Sequence, residues 1–248
     1  MKINNRCKVG IIITAAGSST RIGGDTKKEY LPYKNGTVLS NCAIAFLKAD
    51  YKKVFPMGAE ISHFVVTCPI GGKAESEKAL YADAKVRDLI KNIKIDFVEG
   101  GDTRQKSVFN GLDAVQKSGT APDIILIHDG ARPFVTEQVI LAVTKAVADY
   151  GASVPGVTPI DTQKEIDEEG FIVRHLVRKN LSAVQTPQGF QFEKLYNAHV
   201  EAAKLAEETG HEFTDDTEIW GNYVGPVKTV AGDVNNIKIT YPSDLERL

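Results

Sequence analysis

Apolar residues in the first half of the chain fall into two alternating rhythms. Val9-Gly-Ile-Ile-Ile-Thr14 is an unbroken β-branched run, closed by Ala15-Ala-Gly-Ser-Ser-Thr-Arg-Ile-Gly-Gly24. A run with no polar face predicts a strand buried on both sides, as in a parallel sheet. Helical spacing follows at Val38, Cys42, Ala45 and Phe46, and His63–Cys68 reads as the next strand. Lys73–Ile90 reads as one helix, and Ile93–Val98 as a strand ended by Gly100-Gly101. Val108, Leu112 and Val115 share one helical face. Asp123–His128 is the most strand-like run of all, and Val139, Val143 and Val147 mark the helix after it. Tyr51–Ile61, with its Pro and Gly, reads as a surface insertion.

Repeated strand–helix order implies an α/β chain, with a mostly parallel sheet and helices on both faces. After Tyr150 the rhythm breaks. Ala152–Val157, Thr162–Ile166 and Phe171–Val177 are short β-like pieces interrupted by Pro155, Pro159 and Gly170. They predict a hairpin arm rather than another βαβ unit. Gln191–Glu208 returns to helix, and Val227–Val230 and Ile237–Thr240 read as closing strands.

Composition narrows the class. The chain has 248 residues, 42% of them apolar and 25% charged, which suits one large domain or one domain with an appendage. Thirty basic against 32 acidic residues give a net charge of −2, which argues against a dedicated nucleic-acid binder. Cys7, Cys42 and Cys68 are too few and too scattered for a disulfide framework and read as buried hydrophobes. Val9–Ala16 is too short to span a bilayer and no secretory leader opens the chain, so a cytoplasmic location with no membrane partner is expected.

Candidate chemistry sits where the predicted strands end, the edge at which open parallel sheets bind ligands. Ala15-Ala-Gly17 can bring backbone N–H groups close to an anion, though it is neither a Walker A loop nor a dinucleotide fingerprint. Arg21 and Lys27-Lys28 stand just beyond and can neutralise a polyphosphate. Without the glycine loop they would read as a solvated turn. His128-Asp129-Gly130-Ala131-Arg132-Pro133 places a carboxylate at the end of the strongest strand. That suits a divalent cation shared with substrate phosphates, and Arg132 suits an anionic substrate. His128 reads as a packed residue, since no second His lies nearby.

Gly100-Gly101-Asp102-Thr103-Arg104, followed by Ser107, again joins a strand to a helix. Asp102 and Thr103 could cap that helix or could line a nucleoside pocket. Asp161-Thr162, Lys164, Arg178, Thr186-Pro-Gln188, Thr214-Asp215-Asp216 and Asn236-Ile-Lys238 are weaker singly, and the acidic pair reads as a helix start. No Ser-His-Asp or Cys-His arrangement supports covalent catalysis.

Taken in order, these segments resemble the 2-C-methyl-D-erythritol 4-phosphate cytidylyltransferases, over nearly the whole chain. The landmarks are Ala15-Ala-Gly17 with Arg21, Lys28-Glu-Tyr-Leu31, Gly100-Gly-Asp with Arg104 and Ser107, and His128-Asp-Gly-Ala-Arg-Pro133. Asp161-Thr162, Gln185-Thr-Pro-Gln188, Thr214-Asp215 and Asn236-Ile-Lys238 complete the set. The resemblance implies a Rossmann-like nucleotidyltransferase fold over residues 1–248, with a β-arm at about 157–177 that interlocks a homodimer.

It also implies the reaction of CTP with methylerythritol phosphate, with Mg²⁺, giving the CDP-alcohol and pyrophosphate. By the same resemblance Arg21, Lys28 and Lys238 are catalytic. Ala15, Ala16, Gly17, Gly101, Asp102, Ser107 and Gly130 hold the nucleotide. Asp129, Arg132, Thr162, Arg178 and Lys238 face the acceptor, with Asp129 beside the metal. Lys27 stands where proline is usual, Glu29 where glutamine is usual, and the stretches Tyr51–Ile61 and Lys73–Ile90 look longer than in compact members.

The rival readings are a cytidylyltransferase for another polyol phosphate, such as ribitol 5-phosphate, and a non-catalytic nucleotide sensor. Arg21 and Lys28 weigh against the sensor, which needs no transition-state charges. A dehydrogenase is weaker still, because the glycine fingerprint and a ribose-binding acid are missing.

Overall fold

The first strand, β1 (Cys7–Thr14), is buried on both faces: Ile11 and Ile13 join one apolar cluster, Ile12 the other, and all three are fully buried. The computed structural model describes residues 6–17, 26–90 and 93–247. A short hairpin follows β1, made of β2 (Pro32–Tyr33) and β3 (Gly36–Thr37). The α/β alternation then runs α1 (Val38–Lys48), β4 (Ala59–Cys68), α2 (Lys73–Leu80), α3 (Ala84–Leu89), β5 (Ile95–Glu99), α4 (Arg104–Lys117), β6 (Ile124–Asp129) and α5 (Glu137–Tyr150). The later elements are β7 (Ala152–Val157), β8 (Lys164–Ile166), β9 (Ile172–His175), β10 (Ala183–Val184), β11 (Gln188–Gln191), α6 (Phe192–Thr209), α7 (Asp216–Tyr223) and β12 (Lys228–Ala231).

β6, β1, β4 and β5 lie side by side and parallel, with Thr14 paired to both Asp129 and Thr67. β11 pairs antiparallel with β6 and with β7, β10 also lies antiparallel on β7, and β12 is parallel to β7. The result is a mixed sheet flanked by helices, a Rossmann-like arrangement. One face packs α1 and α5 through Phe46, Val139, Val143 and Val147. The other packs α4 and α6 through Val108, Leu112, Val115 and Leu195. Each such buried aliphatic side chain contributes about 1.5–3 kcal/mol relative to exposure.

Four expectations are corrected. Tyr51, Phe55 and Ala59 are buried in the core, so Tyr51–Ile61 is no surface insertion; its aromatics anchor the entry to β4. Lys73–Ile90 is two helices, because Asp83 caps α3 by accepting the Lys85 N–H at 2.9 Å. Ala152–Val157 belongs to the main sheet, and only the hairpin β8–β9, exposed throughout, forms an arm. Ile237–Thr240 makes no strand; Ile239 is held by one bond, its N–H donating to Ala131 O at 2.9 Å. The three cysteines are free and buried, as expected. Among the described residues no helix is long and apolar enough to cross a membrane.

Candidate active site

β1 and β6 end side by side, so the loops that follow them meet. The Gly130 N–H donates to Thr14 O at 2.9 Å, and the Ala15 N–H to Thr67 O at 3.1 Å. The Gly100 N–H donates to Cys68 O at 2.8 Å, drawing the loop after β5 to the same edge. Only glycine fits two of these positions. A Cβ on Gly130 would lie 2.8 Å from Thr14 O; one on Gly100 would lie 2.3 Å from the Ala16 Cβ and 2.6 Å from Ser107 Oγ. The structure thus brings Ala15, Ala16, Gly100, Ser107 and Gly130 together.

Ser107 organises its own loop: its Oγ accepts the Gly101 N–H at 3.0 Å and donates to Thr103 O at 2.9 Å. Thr103 caps α4, its Oγ1 accepting the Lys106 N–H at 3.1 Å. Asp102 stays at the surface, 3.6 Å from Lys106 Nζ. Capping therefore falls to Thr103 and not to Asp102.

Beside these loops lies a charged cluster. Asp129, almost fully buried, receives Arg132 Nε and Lys238 Nζ on the same Oδ2, each at 3.1 Å. Burial by itself would raise its carboxyl, but Lys238, Arg104 and Arg132 together outweigh it and hold the group well below the carboxylate range. Arg132 also donates from Nη1 to Asn236 O at 2.8 Å, and Asn236 Nδ2 donates to Thr186 O at 2.9 Å. The residues around Lys238 are thereby tied to the end of β6. That tie carried no sequence signal beyond the co-occurrence of the two motifs.

His128 is a packed residue, as expected. It is fully buried, packs at a tilt against Phe46 and bonds Thr186 Oγ1 at 2.9 Å and Arg132 O at 3.1 Å. Burial pushes its imidazole down to about 4, so it is neutral at pH 7. Asp215 caps α7, accepting the Glu218 N–H at 2.9 Å, which fits the expectation that this acidic pair starts a helix.

Lys28 is buried on the turn Lys28–Tyr30, and its charge reaches the Asp244 carboxylate. Lys27, where the resembled family carries proline, donates from Nζ to the Gly17 carbonyl. Arg21 lies outside the described residues. Thr162 is exposed, and Arg178 donates from Nη1 to Ile160 O at 2.7 Å at the base of the arm.

Among the described residues no group of three or more His, Cys, Asp and Glu could hold a metal. A Mg²⁺ ion carried on nucleotide phosphates needs only one or two protein carboxylates. Asp129, at the sheet edge with one oxygen shared by two cations, is a donor that fits such an ion and not an all-protein cage.

Residues 72–247 match the family model described as 2-C-methyl-D-erythritol 4-phosphate cytidylyltransferase. The protein of that name from Clostridium beijerinckii is 36% identical over 240 residues, covering 96% of this chain and 95% of its own. The crystal structure of the Thermus thermophilus protein of the same name matches with a TM-score of 0.67 at 28% identity, covering 95% of both chains. A 4-diphosphocytidyl-2C-methyl-D-erythritol synthase from Anaerococcus prevotii has the same fold, with a TM-score of 0.75 at 24% identity over 97% of this chain and 94% of its own.

Proposed function

The chain belongs to the 2-C-methyl-D-erythritol 4-phosphate cytidylyltransferase family, and from that premise we propose that it transfers the CMP moiety of CTP to 2-C-methyl-D-erythritol 4-phosphate. The products are 4-diphosphocytidyl-2-C-methyl-D-erythritol and pyrophosphate. The observation that carries this reading is the meeting, at one sheet edge, of close-packed glycine loops and the Asp129–Arg132–Lys238 cluster.

Gly101, Asp102 and Ser107 are assigned to the nucleobase and Gly130 to the ribose. Ala15, Ala16 and Gly17, with Arg21 and Lys28, take the triphosphate. Lys238, Arg132, Thr162 and Arg178 take the acceptor phosphate, with Asp129 orienting the two cations bonded to it. Mg²⁺ would bind with the triphosphate beside Asp129 and lower its charge.

The acceptor is a phosphate monoester with a second pKa of about 6, mostly dianionic at pH 7. One of its oxygens forms a bond to the α-phosphorus while the bond from that phosphorus to the bridging oxygen breaks. The electron pair leaves with pyrophosphate. No proton has to be taken from the nucleophile, which explains a site of Arg and Lys rather than Ser and His. The chain's task is to hold two anions in line and spread the developing charge. Lys28 and Arg21 are assigned to stabilise that charge. In the homodimer proposed here, Thr162 and Arg178 serve the site of the partner subunit.

Pyrophosphate release with purified protein, CTP and a panel of acceptors tests the reading. Methylerythritol phosphate is expected to be preferred over ribitol 5-phosphate, and CTP over ATP and GTP by about 10⁴ where buried hydrogen bonds read the base. Turnover of ribitol 5-phosphate in preference would replace the acceptor. Nucleotide binding without turnover would favour the sensor. Lys28→Ala should cost about 10²–10³ in kcat, as loss of one preorganised charge does.

A further inference from the structure

Three residues that the proposed reaction leaves without a role meet at one point. Arg104 closes the glycine loop after β5, Gln188 opens β11, and Asp216 opens α7. Asp216 is fully buried, so it cannot touch a substrate. Its Oδ2 accepts Arg104 Nη2 at 2.7 Å and its Oδ1 lies 3.1 Å from His199 Nε2. Its own N–H donates to Gln188 Oε1 at 3.1 Å, and Gln188 Nε2 donates to Asp215 Oδ2 at 3.0 Å. A buried carboxylate with an arginine and an imidazole on its two oxygens is costly to leave half-made, so the three elements move as one.

Arg104 is the first residue of α4, directly after Gly100-Gly-Asp-Thr103. Ser107, one turn on, holds the Gly101 N–H. Any displacement of that first turn moves Gly101 and Ser107, two of the three nucleobase candidates. Arg104 also stands in the field of Asp129, yet its direct bond goes to Asp216, leaving Asp129 to Arg132 and Lys238. Further along α4, Phe109 stacks on His199 with ring centroids 6.2 Å apart and planes 3° from parallel, so the helix is held at two heights by the same group.

We infer that Asp216 is a positioning residue for the nucleotide: by anchoring Arg104 it fixes the first turn of α4, and with it the pocket that selects the cytosine base. The inference rests on the proposed CTP site. A merely structural ion pair would support the whole molecule evenly. A positioning role acts on one substrate and on base discrimination.

The test compares wild type, Asp216→Asn, Arg104→Met and Arg104→Lys as full chains. CTP affinity is measured by calorimetry, KM is measured for each substrate, and the ratio of kcat/KM for CTP over UTP and the melting temperature are recorded. Asp216→Asn and Arg104→Met are expected to raise Kd and KM for CTP about tenfold or more, in line with the cost of small misplacements. KM for the acceptor should change by less than about twofold, and the CTP over UTP ratio should fall. Arg104→Lys, which keeps the charge, should recover part of the loss. Unchanged CTP affinity in a folded variant overturns the inference. So does an equal rise in both KM values, or activity that falls only in step with the folded fraction. If Asp216→Asn does not fold, the two Arg104 variants decide by the same criteria. CTP bound equally by wild type and variants overturns this inference alone; a wild-type chain that binds no CTP overturns the proposed function with it.

Discussion

Lys238 Nζ lies 3.1 Å from Asp129 Oδ2, although more than one hundred residues separate the two in the sequence. The contact joins the last motif of the chain to the end of its most buried strand. Asp129 is charged because Lys238, Arg104 and Arg132 outweigh the burial that opposes ionisation. A carboxyl lowered in the folded state contributes stability that is present above its unfolded value of about 3.9 and is lost as pH falls below it. Asp129→Asn is therefore expected to cost stability by an amount that is flat from neutral pH down to about pH 5 and shrinks below about pH 4. Breaking a buried pair costs about 3–5 kcal/mol; the loss here should fall at the low end, because Lys238 is partly in water and its share is screened. Urea unfolding of both proteins at several pH values measures it. A difference that persists unchanged in acid would show that the cations do not hold the group.

His128 predicts a second pH window. The Arg132 carbonyl can only accept, so the ring proton sits on Nε2 and Nδ1 of the neutral ring accepts from Thr186 Oγ1, which itself accepts the Asp129 N–H at 3.1 Å. Burial, partly offset by Asp129, pushes the imidazole down to about 4. The unfolded chain takes up this proton near pH 6.5 and the folded chain does not. The contribution of neutral His128 is thus complete above about pH 6.5 and is lost as pH falls toward 4, with a slope approaching 1.4 kcal/mol per pH unit. Replacing it as His128→Gln should flatten the stability profile in that interval. Equal slopes for the two proteins would mean that another group titrates there.

Gly130→Ala tests the close approach at the sheet edge. The added methyl would lie 2.8 Å from the Thr14 carbonyl that accepts the Gly130 N–H. Backbone cannot give way as a flexible side chain can, so a loss of about 1–3 kcal/mol is expected, as for overpacking elsewhere. Turnover should fall further than stability explains, since the shift displaces Asp129 relative to Ala15. Gly17→Ala is the contrast: among the described residues no atom beyond its chain neighbours lies within 4 Å of the Cβ position, and stability should hold. A fully stable, fully active Gly130→Ala protein would remove the packing argument.

The strands of the first half were legible because β-branched runs with no polar face have few alternatives, as Ile11-Ile12-Ile13 and Ile124–Ile127 show. The break at Asp83 was not, since Lys73–Ile90 keeps helical composition throughout and the cap is a matter of one side chain. Tyr51 and Phe55 were read as surface because the Pro and Gly around them signal a turn; that signal describes backbone, and burial is decided by what packs on it. The positions of Asp129 and Gly130 followed from the rule that sites lie beyond strand ends. The Arg104–Asp216 pair did not follow from any local pattern, for its partners lie far apart in sequence, Arg104 reading as part of a glycine loop and Asp216 as a helix start.

The arm makes the last prediction. Ile160, Ile166 and Phe171 are 84%, 61% and 66% exposed, an apolar surface that a single chain leaves in water. A two-fold dimer would cover it, each arm crossing to the other subunit. Arg178 and Thr162 stand on or beside that arm, and in one chain Arg178 donates to Ile160 O. If each active site takes Lys28 from one chain and Arg178 from the other, an inactive Lys28→Ala protein and an inactive Arg178→Ala protein should complement. After subunit exchange, each mixed dimer holds one wholly wild-type site and one doubly defective site. Random exchange of equal amounts puts about half of the dimers in the mixed form, each with one working site, so about a quarter of wild-type activity should return. If Arg178 serves its own chain, both sites of every mixed dimer carry one defect and nothing returns. Native mass spectrometry of differently labelled chains verifies exchange, and activity is read on the same samples. Exchange without recovery would assign Arg178 to its own subunit, and a strictly monomeric active enzyme would exclude the shared site altogether.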